Sequence, residues 1–189
     1  MNTVTTWTDD HFIAGDVALD FANTVYRRTP EPGPDLLGDA GALATWLARA
    51  GLLPTTGEPR DILHDPDAAL RQARTLRELL WAIFDAQRNG RELPAQALAG
   101  LLDIARRGAR GVAVNSDGSI IPLTAEGACA TLALRGIKLA LSPPSQRVRA
   151  CDGCGWFFVD TSRGRRRRWC SMKTCGNQSK AARYRSAHR

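Results

Sequence analysis

Apolar residues recur at helical spacing through most of the first 146 positions, and each periodic stretch carries its own start and stop signals. Asp16 opens the first, which runs to about Tyr26 with Leu19, Ala22 and Val25 near one face and Phe21 off it. Asp39 precedes the second, where Leu43, Trp46, Leu47 and Ala50 form an i, i+3, i+4, i+7 stripe closed by Gly51. Asp65-Pro66 supplies an N-cap followed by proline at the first helical position. From there Leu70, Ala73, Leu76, Leu80, Ile83, Phe84 and Gln87 trace the longest periodic face, ending at Asn89-Gly90, and this helix is expected to be the spine. A fourth helix spans Pro94 to Arg107, with Leu98, Leu101, Leu102 and Ala105 inward and Gly108 as its stop. The period then changes: Val112 and Val114 alternate, Asn115-Ser116-Asp117-Gly118 is turn chemistry, and Ile120-Ile121 resumes an apolar run, which predicts a short β-hairpin. Thr124 caps a fifth helix to about Leu141, with Ala128, Leu132 and Leu139 on one stripe, and Ser142-Pro143-Pro144-Ser145 ends it.

The proline pair marks a boundary between a helical domain, 1–146, and a small module, 147–189. The first is large enough to bury its own core, whereas the second is close to the size at which a metal or disulfide is needed. Its cysteines supply that staple: Cys151-x2-Cys154, fifteen intervening residues, then Cys170-x4-Cys175. Two close thiolate pairs separated by a hairpin-sized insert match a closed, tetrahedral, structural zinc site holding one Zn2+. Asp152-Gly153 and Gly155 suit a tight knuckle. Trp156 to Asp160 reads as a strand, Ser162-Arg163-Gly164 as a turn and Arg165 to Trp169 as the returning strand. A helix follows from Gly176 to about Ala187, completing a treble-clef-like order. The fold class is therefore mainly α: a helical N-terminal domain with a short β-hairpin, plus a small C-terminal treble-clef-like zinc finger. Removing the metal, or Cys170→Ser, is expected to unfold residues 147–189 and spare the body.

Composition sharpens this division. The 189 residues are 43% hydrophobic and 24% charged, which excludes collagenous and disordered chains, and no apolar run approaches the length of a membrane span. The first ten residues lack a basic region followed by an apolar core, so a cytoplasmic location with reduced thiols is expected. That compartment favours metal ligation over the competing readings of two disulfides or loose thiols, and nothing in the spacing recommends an iron–sulfur centre over zinc. Cys129, between alanines, reads as a small buried apolar residue. The net charge of +7 is unevenly placed: residues 147–189 hold twelve Lys and Arg against Asp152 and Asp160, or +10, leaving the body at −3. A cationic tail on a mildly acidic body points to a polyanionic partner.

Cys151-Asp-Gly-Cys154-Gly-Trp156-Phe-Phe158-Val-Asp160-Thr-Ser162-Arg163, with Arg167-Arg168-Trp169-Cys170-Ser171-Met172 and Cys175-Gly176-Asn177-Gln178, resembles the CGNR-type zinc finger. Gln178 stands where that family's name has arginine, which removes one positive charge from the contact helix. Gly15-Asp-Val-Ala-Leu19-Asp20-Phe21-Ala-Asn23-Thr24-Val25, with Leu76-Arg77-Glu78, is similar to the helical ABATE domain that usually precedes this finger. The resemblance implies a stress-induced transcription regulator.

The expected nucleic-acid contacts are Arg165, Arg166, Arg167, Arg168, Lys173, Asn177, Gln178, Lys180, Arg183 and Arg185. In a strand, the four consecutive arginines would alternate between faces, one meeting phosphates and one offsetting the thiolate charge. Asn177 and Gln178 could read adenine in a major groove or merely help to cap the helix. Trp156 and Trp169 could stack on bases, but core packing is the expectation for both. DNA is the expected partner, with RNA or an acidic protein as the alternative occupant of an interaction module. The body is expected to dimerise or to bind a small-molecule effector, with Asp16, Asp20 and Asn23 as candidate pocket residues set against simple helix capping. His11, His64 and His188 are scattered, and no nucleophile–base pair or phosphate loop is present, so no enzymatic activity is expected.

Overall fold

The computed structural model describes residues 5–53, 63–141 and 148–188. The proline pair, Arg147 and the boundary between 146 and 147 lie outside the described residues. Helices α1 (Val17–Ala22), α2 (Ala40–Arg49), α3 (Pro66–Arg88) and α4 (Ala95–Gly108) are followed by a hairpin of β1 (Val112–Val114) and β2 (Ile120–Pro122) and by α5 (Ala125–Ala140). Then come β3 (Val148–Ala150), β4 (Phe157–Val159), a wide helical turn over Met172–Gly176 and α6 (Asn177–Ala187). The protein is mostly helical, with two short antiparallel pairings, β1 with β2 and β3 with β4. No described helix is long and apolar enough to cross a membrane.

The start signals act as the sequence suggests. Asp16 accepts from the Ala18 N–H at 2.9 Å, Asp39 from Ala42 at 2.8 Å, Asp65 from Ala68 at 2.9 Å and Thr124 from Gly127 at 3.1 Å. Each such cap stabilises its helix by about 1 kcal/mol. α3 is the spine: Ala73, Leu76, Leu80, Ile83 and Phe84 are buried along it, against α1, α2, α4 and α5. α5 approaches closely because Gly108 and Gly127 lie at the crossing, where a Cβ would collide with the backbone oxygens of Glu126 and Gly111 respectively.

Two expectations need correction. α1 stops at Ala22 rather than near Tyr26, because the following residues use their polar groups elsewhere: the Asn23 amide reaches Phe157, and the Thr24 carbonyl accepts from Arg77 at 2.9 Å. Phe21 is off the stripe yet fully buried, since α1 is covered on nearly all sides. Leu102 faces outward at 52% exposure; the inner face of α4 is Ala97, Leu101, Ile104, Ala105 and Gly108, a cleaner 3.6-residue stripe.

The finger shares the body's core. Phe157 and Phe158 are fully buried, and Phe157 meets Phe84 of α3 edge to face at 5.5 Å. Arg28 lies 3.8 Å over the Phe157 ring while its guanidinium bonds Asp85 of α3 at 2.6 Å. The 24–35 segment that carries Arg28 is fixed by Arg77, whose guanidinium grips both oxygens of Asp35 at 2.7 Å.

Candidate metal centre and basic face

The knuckle forms locally. The Cys151 N–H donates to the Trp156 carbonyl at 2.8 Å, Gly155 donates to the Cys151 carbonyl at 2.9 Å, and the Gly153 N–H points at the Cys151 sulfur at 3.4 Å. Gly155 takes φ +75°, and a Cβ there would press into Thr29 of the body, so both conformation and space demand glycine. Cys175 arrives from the Met172–Gly176 turn, whose start Ser171 caps through the Lys173 N–H at 3.1 Å.

All four sulfurs lie within 4.8 Å of one another, with Cys154 to Cys170 and Cys170 to Cys175 at 3.6 Å. A tetrahedron with metal–sulfur bonds of about 2.3 Å has edges of about 3.8 Å, whereas a disulfide needs about 2.05 Å. The spacing fits ligands around one ion and excludes pairwise bridges. Cys151, Cys154, Cys170 and Cys175 are placed to bind one zinc ion, and bound there it would lock the knuckle to the start of α6. Cys129 sits apart, buried in α5, and burial pushes its thiol up to about 12.

The expected returning strand over Arg165 to Trp169 does not form; β4 pairs with β3 in the register Val148↔Val159, Arg149↔Phe158, Ala150↔Phe157. Its other edge is taken by the body. The Asn23 amide donates to the Phe157 carbonyl at 2.9 Å and accepts from the Phe157 N–H at 2.8 Å, and Val159 donates to the Ala14 carbonyl at 2.8 Å. No edge remains for the arginine segment. It runs instead as a turn organised by Asp160, whose carboxylate accepts from the Ser162 N–H at 3.0 Å, the Ser162 hydroxyl at 2.6 Å and the Arg167 N–H at 2.9 Å. Burial alone would raise that carboxyl, but these hydrogen bonds and Arg149 outweigh it and hold it below its ordinary value.

The basic residues therefore separate by environment rather than by strand alternation. Arg167 turns inward: its guanidinium stacks 4.3 Å from the Phe158 centroid and donates to the carbonyls of Ile13, Trp169 and Cys170. It is a tie between finger and body, half-buried where the other basic residues expected to contact nucleic acid are exposed. Arg165, Arg166, Arg168, Lys173, Asn177, Gln178, Lys180, Arg183 and Arg185 are all exposed. Arg165 adopts φ +48° at the tip of the turn, where its carbonyl accepts from Arg149 at 2.6 Å. No residue of α6 is buried, and the helix continues directly from the cysteine turn. Asn177 bonds the Lys173 carbonyl at 3.3 Å, a local contact, and Gln178 faces a cleft of about 420 Å³ beside His11, Tyr26 and Trp156. Trp156 is tied to the body, its indole N–H donating to Val25 at 2.8 Å.

Asp16, Asp20 and Asn23, the candidate pocket residues, all make hydrogen bonds within the fold. Asp16 caps α1 and pairs with Arg135 at 2.9 Å, Asp20 accepts from the Ala14 N–H at 2.9 Å, and both polar atoms of Asn23 are spent on Phe157. Asp20 borders a groove with Asp9, Phe12 and Arg49. Asn23 and Arg28 are the functional couplings that sequence reasoning missed, since no pattern in the chain links them to residues over a hundred positions away.

Burial, followed by the nearby charge of Asp16, pushes the Asp20 carboxyl up to about 7 despite the Ala14 N–H. A raised acid favours the folded state fully below its ordinary value of 3.8 and loses that contribution as pH rises through about 7. Asp20→Asn is expected to flatten this pH dependence and to stabilise the protein at pH 8 by on the order of 3 kcal/mol. Denaturant midpoints at pH 5 and pH 8 measure it; a variant less stable than the parent at both would contradict the assignment.

Comparison with known families fits this geometry. Residues 147–188 match the CGNR zinc finger, residues 15–143 match the ABATE model, and neither family is enzymatic. No curated protein matches the chain. The chain belongs to the ABATE family, described as "Putative stress-induced transcription regulator", and carries a CGNR zinc finger after that domain.

Proposed function

We propose that this protein is a cytoplasmic, non-catalytic regulator whose zinc-stapled finger contacts DNA while the body dimerises or binds an effector. One observation carries the reading: residues 161–188 hold nine Lys and Arg and no Asp or Glu, and all but Arg167 are exposed on the module that carries the four cysteines. Single basic runs are often only solvated, but a run fixed by a rigid ion site keeps its charges in one arrangement that a phosphate row can meet. Arg165, Arg166, Arg168, Lys173, Lys180, Arg183 and Arg185 supply the phosphate contacts, and Asn177 and Gln178 sit at the first turn of α6, where base edges are read in a recognition helix. Val114, Ile121 and Leu123 on the hairpin, and Leu134 on α5, leave apolar side chains exposed on the body, which supports self-association there.

If about six phosphates are neutralised, log K should fall against log salt with a slope near −5 on duplex DNA. Fluorescence anisotropy across a salt series reads this directly. A flat titration, or one unaffected by chelation of the metal, would defeat the assignment, and tighter binding to an acidic peptide at matched salt would favour the interaction-module reading.

A further inference from the structure

Beside the metal centre a groove of about 620 Å³ is walled by Ser162, Arg166, Arg168, Trp169, Ser171 and Met172. No carboxylate lines it. The neighbouring groove at Arg149 instead has Asp152 and Asp160 in its wall, and there Asp160 pairs with Arg149. Arg167 also lines it, its guanidinium bonded to the carbonyls of Ile13, Trp169 and Cys170. The floor is apolar and held in place: a Cβ on Gly153 would stand 3.6 Å from Trp169 Cζ3, and one on Gly176 3.4 Å from its Cδ1, so the indole is wedged between knuckle and helix start. The Arg168 guanidinium lies 5.2 Å from the Trp169 centroid and is oriented by an ion pair from its Nε to Asp152 at 2.7 Å. Met172 is 53% exposed, an unusual position for a thioether in a module this poor in apolar residues.

An oriented guanidinium layered on an indole, an exposed thioether across from it and cationic walls form a surface with two demands. It wants a flat, polarisable face and a negative charge close by. A nucleotide with its base unpaired offers both, because its π face stacks on arginine, tryptophan or methionine while the adjoining phosphate meets Arg166. A closed duplex offers the charge but keeps its base faces inside the stack. We propose that this groove takes an unpaired base of single-stranded nucleic acid, stacked on the Arg168–Trp169 layer and against Met172. The inference rests on the nucleic-acid reading above and names the form of nucleic acid that the same face prefers.

The test uses the full-length, zinc-loaded chain and three labelled probes at matched salt: oligothymidylate and oligouridylate of about 12 nucleotides, within the span of one small binding module, and a duplex of equal length. Both single strands should bind about tenfold more tightly than the duplex, and any preference between them identifies the sugar. Met172→Ala should weaken single-strand binding about five- to tenfold while leaving the duplex within about twofold, and Arg168→Lys should weaken single-strand binding by a similar factor. Arg168→Lys should keep the parent's salt slope, because the charge stays and only the planar surface is lost. Lys180→Ala, on α6, should weaken all three probes alike. Zinc content and circular dichroism of each variant report its folding. Equal binding of duplex and single strands, with Met172→Ala and Arg168→Lys both silent, overturns the groove assignment and leaves DNA contact standing. Failure of every probe to bind at low salt removes the DNA reading itself.

Discussion

Chelating the metal, or replacing Cys170 by Ser, is expected to lower the melting temperature of the entire chain by more than about 10 °C. Structural zinc sites contribute about 10–16 kcal/mol of apparent binding free energy, comparable to the whole stability of a domain. Here that energy cannot stay within the finger. Phe157 and Phe158 belong to the same buried cluster as Phe84, Leu80 and Leu19, and the knuckle carbonyl of Cys154 accepts from the Arg28 N–H at 2.6 Å. Losing the ion releases Cys151, Cys154, Cys170 and Cys175 from one point and frees the strand that plugs the core. Unfolding followed by far-UV circular dichroism, with zinc content determined on the same sample, reads the effect. A helical signal and melting curve untouched by chelation would show that the body is indifferent to the finger, and the shared core would then contribute little.

That outcome differs from what the sequence alone leads one to expect, and the difference is instructive. Helix starts were legible because Asp16, Asp39, Asp65 and Thr124 each cap through a bond two or three residues away. The metal ligands were legible because their pairing is written in short spacings, and the four sulfurs do converge. What stayed hidden were partnerships across the chain. The strand reading for Arg165 to Trp169 rested on local alternation, but the edge it needed is occupied by Ala14 and Asn23, which no local pattern can announce. Likewise, Arg167 looks like its neighbours in sequence and differs only because Phe158 and three carbonyls surround its guanidinium. Asp16, Asp20 and Asn23 stand out in the sequence as polar groups among apolar ones, but their partners Arg135, Ala14 and Phe157 lie outside that short helix.

Asn23 gives the sharpest test of how the two parts are joined. It is 3% exposed, and its amide presents to Phe157 the donor and acceptor that a neighbouring strand would, so the side chain closes the free edge of β4. Asn23→Ala leaves a buried N–H and a buried carbonyl without partners, at about 1–3 kcal/mol each, so a loss of about 2–5 kcal/mol is expected. Asn23→Asp separates the two bonds. A carboxylate still accepts from the Phe157 N–H but faces the Phe157 carbonyl with no proton to give, so near neutral pH it should be at least as damaging as alanine. Protonated, it regains a donor. The folded state therefore holds that proton more tightly than the unfolded chain: stability is present below the ordinary aspartate value of about 4 and is lost as pH rises through the raised one. Denaturant midpoints at pH 4.5 and pH 8 should show the Asp variant recovering part of the parent's stability at the lower pH, while the Ala variant shows no such rescue. Identical pH profiles for the two variants would mean that the amide does not bridge Phe157 in solution, and that burial of the phenylalanines alone holds the finger against the helices.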